Sequence, residues 1–270
     1  MRKAFLVLVD DFSSVVARLR AAGCVFAEDE ARLLLESAAT PAALAELVGR
    51  RVAGLPLEQV LGWAEFRGLR VAVEPGVFVP RRRTGFLVAC AVPVVRPGSV
   101  VVDLCCGSGA VGAALAAEAS VQVYAADVDP VAVRCARRNL DPARVFEGDL
   151  FAALPGGLRG RVDVVVANAP YVPTAVIGTM PPEARDHEPL VALDGGHDGL
   201  AVQRRVVEDA PQWLAPGGAL LVETGERLAA HTATAFRAAG FAVEVRRSAE
   251  VDATVVIGRS GAPVAPARPS

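Results

Sequence analysis

The chain has few of the residues that build metal centres and disulfide frameworks. Its 270 residues include three histidines and five cysteines, and no two cysteines form a C-x-x-C pair. The cysteines are Cys24, Cys90, Cys105, Cys106 and Cys135. An odd number without paired spacing excludes a disulfide framework and a cysteine-ligated zinc site. We therefore predict no metal centre, and we interpret Cys24, Cys90 and Cys135 as small buried side chains in a reducing compartment.

Long apolar runs and an excess of charge are also missing. No apolar run reaches transmembrane length, and Asp10-Asp11 ends the apolar start of the chain before a signal-peptide cleavage site appears. The net charge is -2, which gives no electrostatic reason to expect nucleic acid as a partner. We predict a cytoplasmic, monomeric protein that contacts neither a membrane nor nucleic acid.

The chain does contain a helical start followed by alternating strands and helices. Apolar residues spaced by three and four over residues 11–62 predict a small bundle of three to four helices. Residues 63–80, with the turn signal Pro75-Gly76, predict a β-hairpin. From residue 84 onward, strands alternating with helices predict a doubly wound α/β sheet. Its last two strands lie too close in sequence for a parallel crossover, so we expect them to pair antiparallel.

These patterns divide the chain into four segments. The helical bundle is predicted as a domain over residues 1–62, the hairpin as a linker over 63–80, and the α/β sheet as a domain over 81–259. Residues 260–270 are rich in proline and alanine, and we expect them to be a disordered tail.

A glycine-rich loop follows the first predicted strand of the sheet. Gly107, Gly109 and Gly112 satisfy the pattern G-x-G-x-x-G at the start of a helix. An acid, Asp127 or Asp129, follows about 20 residues later, where a carboxylate that binds ribose belongs. Strand, loop, helix, strand and acid in this order indicate a nucleotide-type cofactor.

Asp103 favours S-adenosylmethionine over NAD as that cofactor. It precedes Gly107 by four residues and gives the pattern D-x-x-x-G-x-G, which does not require a phosphate at a helix N-terminus. Asp127 would hold the ribose hydroxyls, and Asp149 would accept from the adenine amino group or, alternatively, cap a helix. Leu150 or Phe151 would pack on the adenine ring. The predicted cofactor-binding set is Asp103, Cys105, Cys106, Gly107, Ser108, Gly109, Asp127, Asp149, Leu150 and Asn168.

The tetrapeptide Asn168-Ala169-Pro170-Tyr171 follows a predicted buried strand over residues 162–167. Ligands of open α/β sheets bind where the strands end. The Asn168 side-chain oxygen and the Ala169 carbonyl would each accept one N–H of a planar –NH2 group, and the Tyr171 ring would pack on its face. We predict these four residues as catalytic and substrate-binding, with Phe78 as an opposite wall or a core residue. An ordinary turn is the alternative.

Taken together, these motifs resemble the HemK-type protein-(glutamine-N5) methyltransferases over nearly the whole chain. The resemblance is carried by the glycine loop and by residues 54–62, 65–69, 75–81, 168–171, 181–183, 187–189, 192–196, 198–200 and 214–218. It implies S-adenosylmethionine-dependent methylation of a glutamine side-chain amide in a release factor or ribosomal protein. It also implies that the helical domain recognises this substrate.

The chain departs from the family pattern at three places. The family's N-P-P-Y is N-A-P-Y here, its P-R-P-E-T-E is Pro80-Arg81-Arg82-Arg83-Thr84-Gly85, and the first glycine of its loop is Cys105. We interpret the three arginines as a solvated linker or helix start, with a contact to a phosphate or an acidic partner as the alternative. Three alternatives stay open: an amino-group methyltransferase for a nucleic-acid base or small molecule, a non-catalytic S-adenosylmethionine-binding protein, and an NAD-dependent oxidoreductase.

Overall fold

The structure is a computed structural model that describes the backbone of residues 2–261 and the side chains from residue 12 onward. The predicted disordered tail lies, from residue 262, outside the described residues. The helices are α1 (Arg2–Ala21), α2 (Ala27–Ser37), α3 (Pro41–Val52), α4 (Leu57–Leu61), α5 (Gly85–Ala91), α6 (Ala110–Ala119), α7 (Pro130–Ala136), α8 (Pro182–His187), α9 (Leu190–Leu193), α10 (Ala201–Asp209) and α11 (Ala229–Ala238). The strands are β1 (Trp63–Phe66), β2 (Leu69–Ala72), β3 (Val100–Leu104), β4 (Gln122–Asp127), β5 (Val145–Glu147), β6 (Val162–Ala167), β7 (Leu214–Thr224), β8 (Ala242–Ser248) and β9 (Ala253–Arg259).

Helices α1 to α4 enclose a small apolar core that includes Leu19, Leu34 and Val48. Thr40 starts α3 by accepting a hydrogen bond from the Ala43 N–H at 3.1 Å, as an N-cap residue does. None of the helices in residues 2–261 is long and apolar enough to cross a membrane.

A buried arginine joins this bundle to the rest of the molecule. Arg51 of α3 forms a buried ion pair with Glu30 of α2 at 2.6 Å. The same guanidinium pairs with Glu183 of α8 at 2.6 Å. The helical bundle is thereby attached to the segment that precedes α9.

The hairpin is shorter than the pattern in the sequence indicates. β1 and β2 pair antiparallel with Phe66 opposite Leu69, so the turn consists of Arg67 and Gly68. Both have positive φ, 51° and 77°, as the favoured two-residue hairpin turns require. The Pro75-Gly76 turn lies beyond the second strand.

The large sheet has seven strands in the order β5-β4-β3-β6-β7-β9-β8. β3 to β7 are parallel, and β9 runs antiparallel to both of its neighbours. The predicted doubly wound fold with an antiparallel last strand is confirmed. The chain winds outward from β3 to β5 and then returns to β6, so the order reverses between β3 and β6. A ligand site belongs at the carboxyl ends of the strands at this switch point.

Candidate active site

A cavity of about 470 Å³ lies at the carboxyl ends of the central strands. Every predicted site residue except Gly109 lines it, and the cavity thereby brings together residues that the sequence separates widely. These lining residues are Phe78, Asp103, Cys105, Cys106, Gly107, Ser108, Asp127, Asp149, Leu150, Asn168, Ala169, Pro170 and Tyr171.

The glycine loop connects β3 to α6 by a series of left-handed residues. Cys105, Gly107 and Gly109 have φ values of 53°, 55° and 78°. Gly109 precedes α6 without lining the cavity, and a Cβ atom there would lie 2.9 Å from the Leu140 Cδ1 atom. A glycine is therefore required at this position by φ and by packing, and no contact with the cavity accounts for it.

Asp103, near the end of β3, binds the start of the helix that follows the glycine loop. Its Oδ2 accepts a hydrogen bond from the Gly112 N–H in the first turn of α6, at 2.9 Å. Burial raises the pKa of Asp103 to about 7, an effect that the Gly112 N–H opposes and Asp127 reinforces. Because a protein carboxylate already uses this helix N-terminus, an incoming pyrophosphate would meet a fixed acceptor. This geometry disfavours the NAD alternative.

Asp127 organises the loop from the end of β4. Its Oδ2 accepts from the Gly107 N–H at 2.8 Å, and its Oδ1 accepts from the Asp129 N–H at 2.9 Å. Burial raises its pKa, and these backbone N–H groups favour the charged form. Each oxygen keeps a further lone pair for a ligand. Asp129, the other candidate, accepts from the Val131 N–H at 2.8 Å and caps α7.

Sequence reasoning missed Val128, which lies between these two acids. It lines the cavity and is 51% exposed, one of the few large apolar side chains so open to solvent. An apolar side chain beside a ribose-binding carboxylate is suited to pack on a planar base. The signal was its position directly after β4, between two acids, where a large apolar side chain has no place in the strand's buried face.

At the far end of the cavity, Asp149 pairs with Arg205 of α10. The Arg205 Nη2 atom lies 2.5 Å from Asp149 Oδ2, and both residues line the cavity. Asp149 makes no side-chain cap bond, so its carboxylate is oriented by the arginine. Phe151 is buried and stacks on Trp213 with ring centroids 5.5 Å apart. Of the two residues predicted as alternatives for packing on the adenine ring, Phe151 therefore belongs to the core, whereas Leu150 lines the cavity.

Asn168 follows the last residue of β6 and faces the segment before α5. Its Nδ2 donates to the Thr84 hydroxyl at 3.3 Å, which leaves its oxygen free to accept a hydrogen bond. Tyr171 also lines the cavity. Burial raises the pKa of Tyr171, and nearby Glu223 raises it further, whereas Arg83 lowers it.

The three arginines lie at a helix start, as one of the interpretations has it, because Arg82–Thr84 form a short helical turn directly before α5. Two of them also contact acidic partners, which was the alternative. Arg81 pairs with the fully buried Glu188 side chain at 2.6 Å, and Arg83 lies 3.6 Å from the carboxylate of Glu223. Both arginines line the cavity. Their partners follow more than a hundred residues later in the chain, so no local pattern could indicate the pairs.

Glu188 also links the cavity wall to the segment that covers it. Its Oε1 accepts from the Val79 N–H at 3.1 Å, while Oε2 accepts from Arg81. Arg81 in turn lies over the Phe78 ring, 4.7 Å from its centroid. The cover is apolar and includes Met180, Pro189, Val191, Ala192 and Leu193. The side of the cavity next to Asn168, called the acceptor slot below, is thus bordered by this apolar segment and by Phe78.

The charges of the lining fit a cationic ligand without phosphate. Each lining arginine faces a carboxylate, namely Glu188, Glu223 or Asp149. Asp103 and Asp127 have no arginine or lysine partner within the described residues. S-adenosylmethionine carries a sulfonium and an ammonium group and no phosphate, so the residues present fit it.

Fold and lining residues define an S-adenosylmethionine-dependent methyltransferase. A methyltransferase from Pyrococcus furiosus has the same fold, with a TM-score of 0.55 and 19% identity over 72% of this chain and 90% of that one. Residues 88–184 also match the family model described as ribosomal protein L11 methyltransferase (PrmA).

Curated relatives identify the family. A release factor glutamine methyltransferase from Streptomyces coelicolor is 44% identical over 66% of this chain and 66% of its own length. One from Mycolicibacterium smegmatis is 40% identical over 77% of this chain and 76% of its own. A 4-amino-L-phenylalanine/4-methylamino-L-phenylalanine methyltransferase from Streptomyces pristinaespiralis is 39% identical over 72% of this chain and 69% of its own. The chain belongs to the release factor glutamine methyltransferase family.

Proposed function

We propose that this protein transfers the methyl group of S-adenosylmethionine to the side-chain amide nitrogen of a glutamine, and that the glutamine belongs to a peptide chain release factor. The observation that carries the proposal is the position of Asn168 at the end of β6. Its Nδ2 is held by Thr84 at 3.3 Å, and its oxygen is left to accept from an –NH2 group in the same cavity as the glycine loop.

Positioning is the main chemical task of such a site. An amide nitrogen is a weak nucleophile because its lone pair is delocalised into the carbonyl group. S-adenosylmethionine, when bound, supplies an electrophilic methyl group. Asn168 and the Ala169 carbonyl would each accept one N–H of the amide, which orients the nitrogen lone pair and favours the positive charge that develops on nitrogen. Tyr171 and Phe78 would hold the amide plane between them.

The roles of the cofactor-side residues belong to the same proposal. Asp127 would hold the ribose hydroxyls, and Val128 and Leu150 would pack on the adenine. Asp149, oriented by Arg205, would accept from the adenine amino group with its second oxygen. Asp103 would keep the loop closed on α6 and face the ligand's ammonium group.

A protein substrate is supported by the names of the curated relatives, which act on release factors. The helical bundle would recognise this substrate, and its contact from Arg51 to Glu183 would connect that recognition to the cover of the slot. The cytoplasmic location and the monomeric state predicted from the sequence remain part of the proposal.

A second acceptor class is supported by two observations. One relative is named for methylation of an aromatic amino group on a free amino acid. This chain also has Arg83 and Gly85 in place of two family carboxylates, with Arg83 lining the cavity. An arylamine also presents a planar –NH2 group. Arg83 would exchange its long contact with Glu223, 3.6 Å, for the carboxylate of the amino acid.

One experiment tests both acceptors. Lysate from a strain that lacks this protein is incubated with the purified protein and labelled S-adenosylmethionine, and the labelled protein band is analysed by mass spectrometry. Purified release factor and 4-amino-L-phenylalanine are assayed in parallel, with Asn168→Ala as the matched inactive control. Label on a release factor glutamine supports the first proposal. Label on the arylamine alone would replace it with the second, and label on neither would reject both.

A further inference from the structure

One carboxyl group beside the acceptor slot has an oxygen without a partner. Glu223, near the end of β7, lines the cavity and is 2% exposed. Its Oε2 is the one buried side-chain polar atom without a hydrogen-bond partner among the described residues. A buried polar atom in this state destabilises the folded protein. A reason for keeping the carboxyl is therefore to be sought in what the cavity binds.

The other acids of the lining already bind protein groups. Three of them accept from backbone N–H groups and the fourth pairs with an arginine; they are Asp103, Asp127, Asp129 and Asp149. All four lie at or after the ends of β3, β4 and β5, on the cofactor side. Among the described residues of the lining, Glu223 is thus the acid that keeps a buried oxygen unused.

The register of the sheet places Glu223 next to the residue that would bind the acceptor. β6 and β7 are parallel, and Ala167 pairs with Val222. Asn168 and Glu223 are the residues that follow this pair, and both line the cavity. The unused carboxyl oxygen and the Asn168 amide therefore belong to the same side of the site.

The proposed reaction leaves a proton to be removed at this place. The acceptor nitrogen forms a bond to the methyl carbon, while the bond from that carbon to sulfur breaks and its electron pair stays on sulfur. The nitrogen then carries a positive charge and both of its original hydrogens. The oxygens of Asn168 and Ala169 that would hold these hydrogens are amide oxygens, which are too weakly basic to take a proton. Because the nitrogen becomes tetrahedral, its N–H bonds also turn out of the former plane.

We propose that Glu223 is a catalytic residue whose Oε2 accepts this proton. Its carboxylate favours the positive charge that grows on nitrogen during the transfer. One N–H bond then breaks as an O–H bond forms on Oε2, which leaves a neutral methylated nitrogen and a neutral carboxyl group. The inference rests on the proposed function and deepens it, and it applies equally to a glutamine amide and to an arylamine.

The surroundings of Glu223 suit a base. Burial raises the pKa of its carboxyl, so that its ionised form holds a proton more firmly than an exposed glutamate does. The Arg83 guanidinium, 3.6 Å from Oε1, opposes this shift and leaves Oε2 uncovered. The Tyr171 phenol also faces the carboxyl. On the other sides, β9 places Val255 opposite Glu223, and α5 carries no charged residue.

Variants of Glu223 test the step through its pH dependence. Because the carboxyl must be ionised to take a proton, wild-type kcat should fall about tenfold per pH unit below the pKa of Glu223. Glu223→Gln keeps the shape and takes no proton, so we expect kcat at neutral pH to fall about 100-fold or more and this pH dependence to disappear. Glu223→Asp should keep the pH dependence and recover part of kcat. Calorimetry should show S-adenosylmethionine binding within a few-fold of wild type in both variants.

Glu226→Gln is the matched control. Glu226 lies just after β7, its side chain is 72% exposed, and it does not line the cavity. The same substitution there should leave kcat and its pH profile unchanged. A Glu223→Gln enzyme with wild-type kcat and pH profile would overturn the inference and leave the proposed function intact. A wild-type protein that methylates neither acceptor would reject the two together.

A second measurement does not depend on turnover. Glu223→Leu replaces the unpartnered carboxyl by an apolar side chain at a buried position. If the carboxyl is kept for catalysis, the urea midpoint of the cofactor-free variant should equal or exceed that of wild type, because no buried acceptor is left without a partner. A lower midpoint, with the loss of stability accounting for the loss of activity, would assign Glu223 a structural role and contradict the proposal.

Discussion

The two walls of the cavity are held together in different ways. On the cofactor side, carboxylates bind backbone N–H groups that lie near them in sequence: Asp103 binds Gly112 nine residues later, and Asp127 binds Asp129 two residues later and Gly107 twenty residues earlier. For these two acids, a strand, a turn, a helix and the next strand in succession are enough. The third acid of this wall, Asp149, is the exception, because Arg205 holds it from 56 residues later.

On the acceptor side, side chains bind across long separations. Asn168 and Thr84 are 84 residues apart, and Glu188 reaches back 109 residues to Val79 and 107 to Arg81. This wall exists only when several distant segments are in place. A substitution in any one segment can therefore alter it without affecting the cofactor wall.

This difference bears on where the chain departs from its family pattern. Two of the three departures belong to the acceptor side. The first consists of Arg82, Arg83 and Gly85, and the second is Ala169. The cofactor side keeps its carboxylates and changes only the first loop glycine, to Cys105. A family that keeps its cofactor and changes its acceptor would be expected to vary in this way. The following variants are ordered from the largest expected effect to the smallest.

Asn168→Ala should show most clearly that the two walls have different roles. It removes the oxygen that orients the acceptor nitrogen, and we expect methyl transfer to fall by about 10²- to 10³-fold. Calorimetry should show S-adenosylmethionine binding within a few-fold of wild type. Normal turnover by this variant would show that the acceptor wall does not work through Asn168.

Asp127→Ala should affect the cofactor wall instead. It removes the ribose acceptor and the partner of the Gly107 N–H, so we expect the Kd for S-adenosylmethionine to rise about 10- to 100-fold, equivalent to about 1.4–2.7 kcal/mol. Asp141→Ala is the control, because Asp141 caps a short turn by accepting from the Ala143 N–H and does not line the cavity. Equal affinity in both variants would argue against the ribose assignment.

Asp103 predicts a pH dependence of stability that belongs to the cofactor wall. Its pKa is raised to about 7, so between pH 4 and pH 7 the folded state keeps a proton that the unfolded state has lost. The free energy of unfolding should therefore fall as the pH rises through this window, by at most about 1.4 kcal/mol per pH unit from this group. Asp103→Asn keeps an acceptor for Gly112 and should flatten the curve in urea titrations at pH 5, 6 and 7. A slope as steep as wild type would show that other groups cause it.

Cys105→Gly should have the smallest effect, and it should stabilise the protein instead of impairing it. A residue with a side chain at φ 53° costs about 1–2 kcal/mol of stability relative to ordinary backbone. Glycine avoids this cost, but its greater conformational freedom in the unfolded chain offsets part of the gain. We expect a net gain of about 1 kcal/mol by chemical denaturation. Cys106→Gly, at a buried neighbour without positive φ, should lose stability. If both variants lose stability equally, the loop is not strained at Cys105.

Much of the fold follows from the sequence because it depends on local patterns. Alternating strands and helices predicted the doubly wound sheet, and the short spacing of the last two strands predicted their antiparallel pairing. The hairpin shows where this reasoning stops: Pro75-Gly76 is a strong turn signal, yet the turn forms at Arg67-Gly68. The sequence did not indicate that both residues have positive φ, because arginine is not a residue type that favours this conformation.

The candidate site divides in the same manner. Asp103, the glycine loop and the acid at the end of β4 are contiguous enough to be recognised by their spacing. Phe151, which looks like a ring-packing partner in sequence, stacks on Trp213 in the core. Arg205 and Glu223 were missed because each meets its partner only after the chain has crossed the sheet.

By itself, the sequence determined the fold class, the family and the order of the motifs, because each depends on residue types at short, regular spacings that restrict the backbone directly. Only the tertiary structure decided that Asn168 contacts Thr84, that Glu223 and two of three consecutive arginines line the same cavity, and that Asn168 turns its nitrogen toward Thr84. The physical reason is that hydrogen bonds and ion pairs act over about 3 Å, a distance that spacing along a chain does not specify until packing of the sheet and helices has fixed which segments are neighbours.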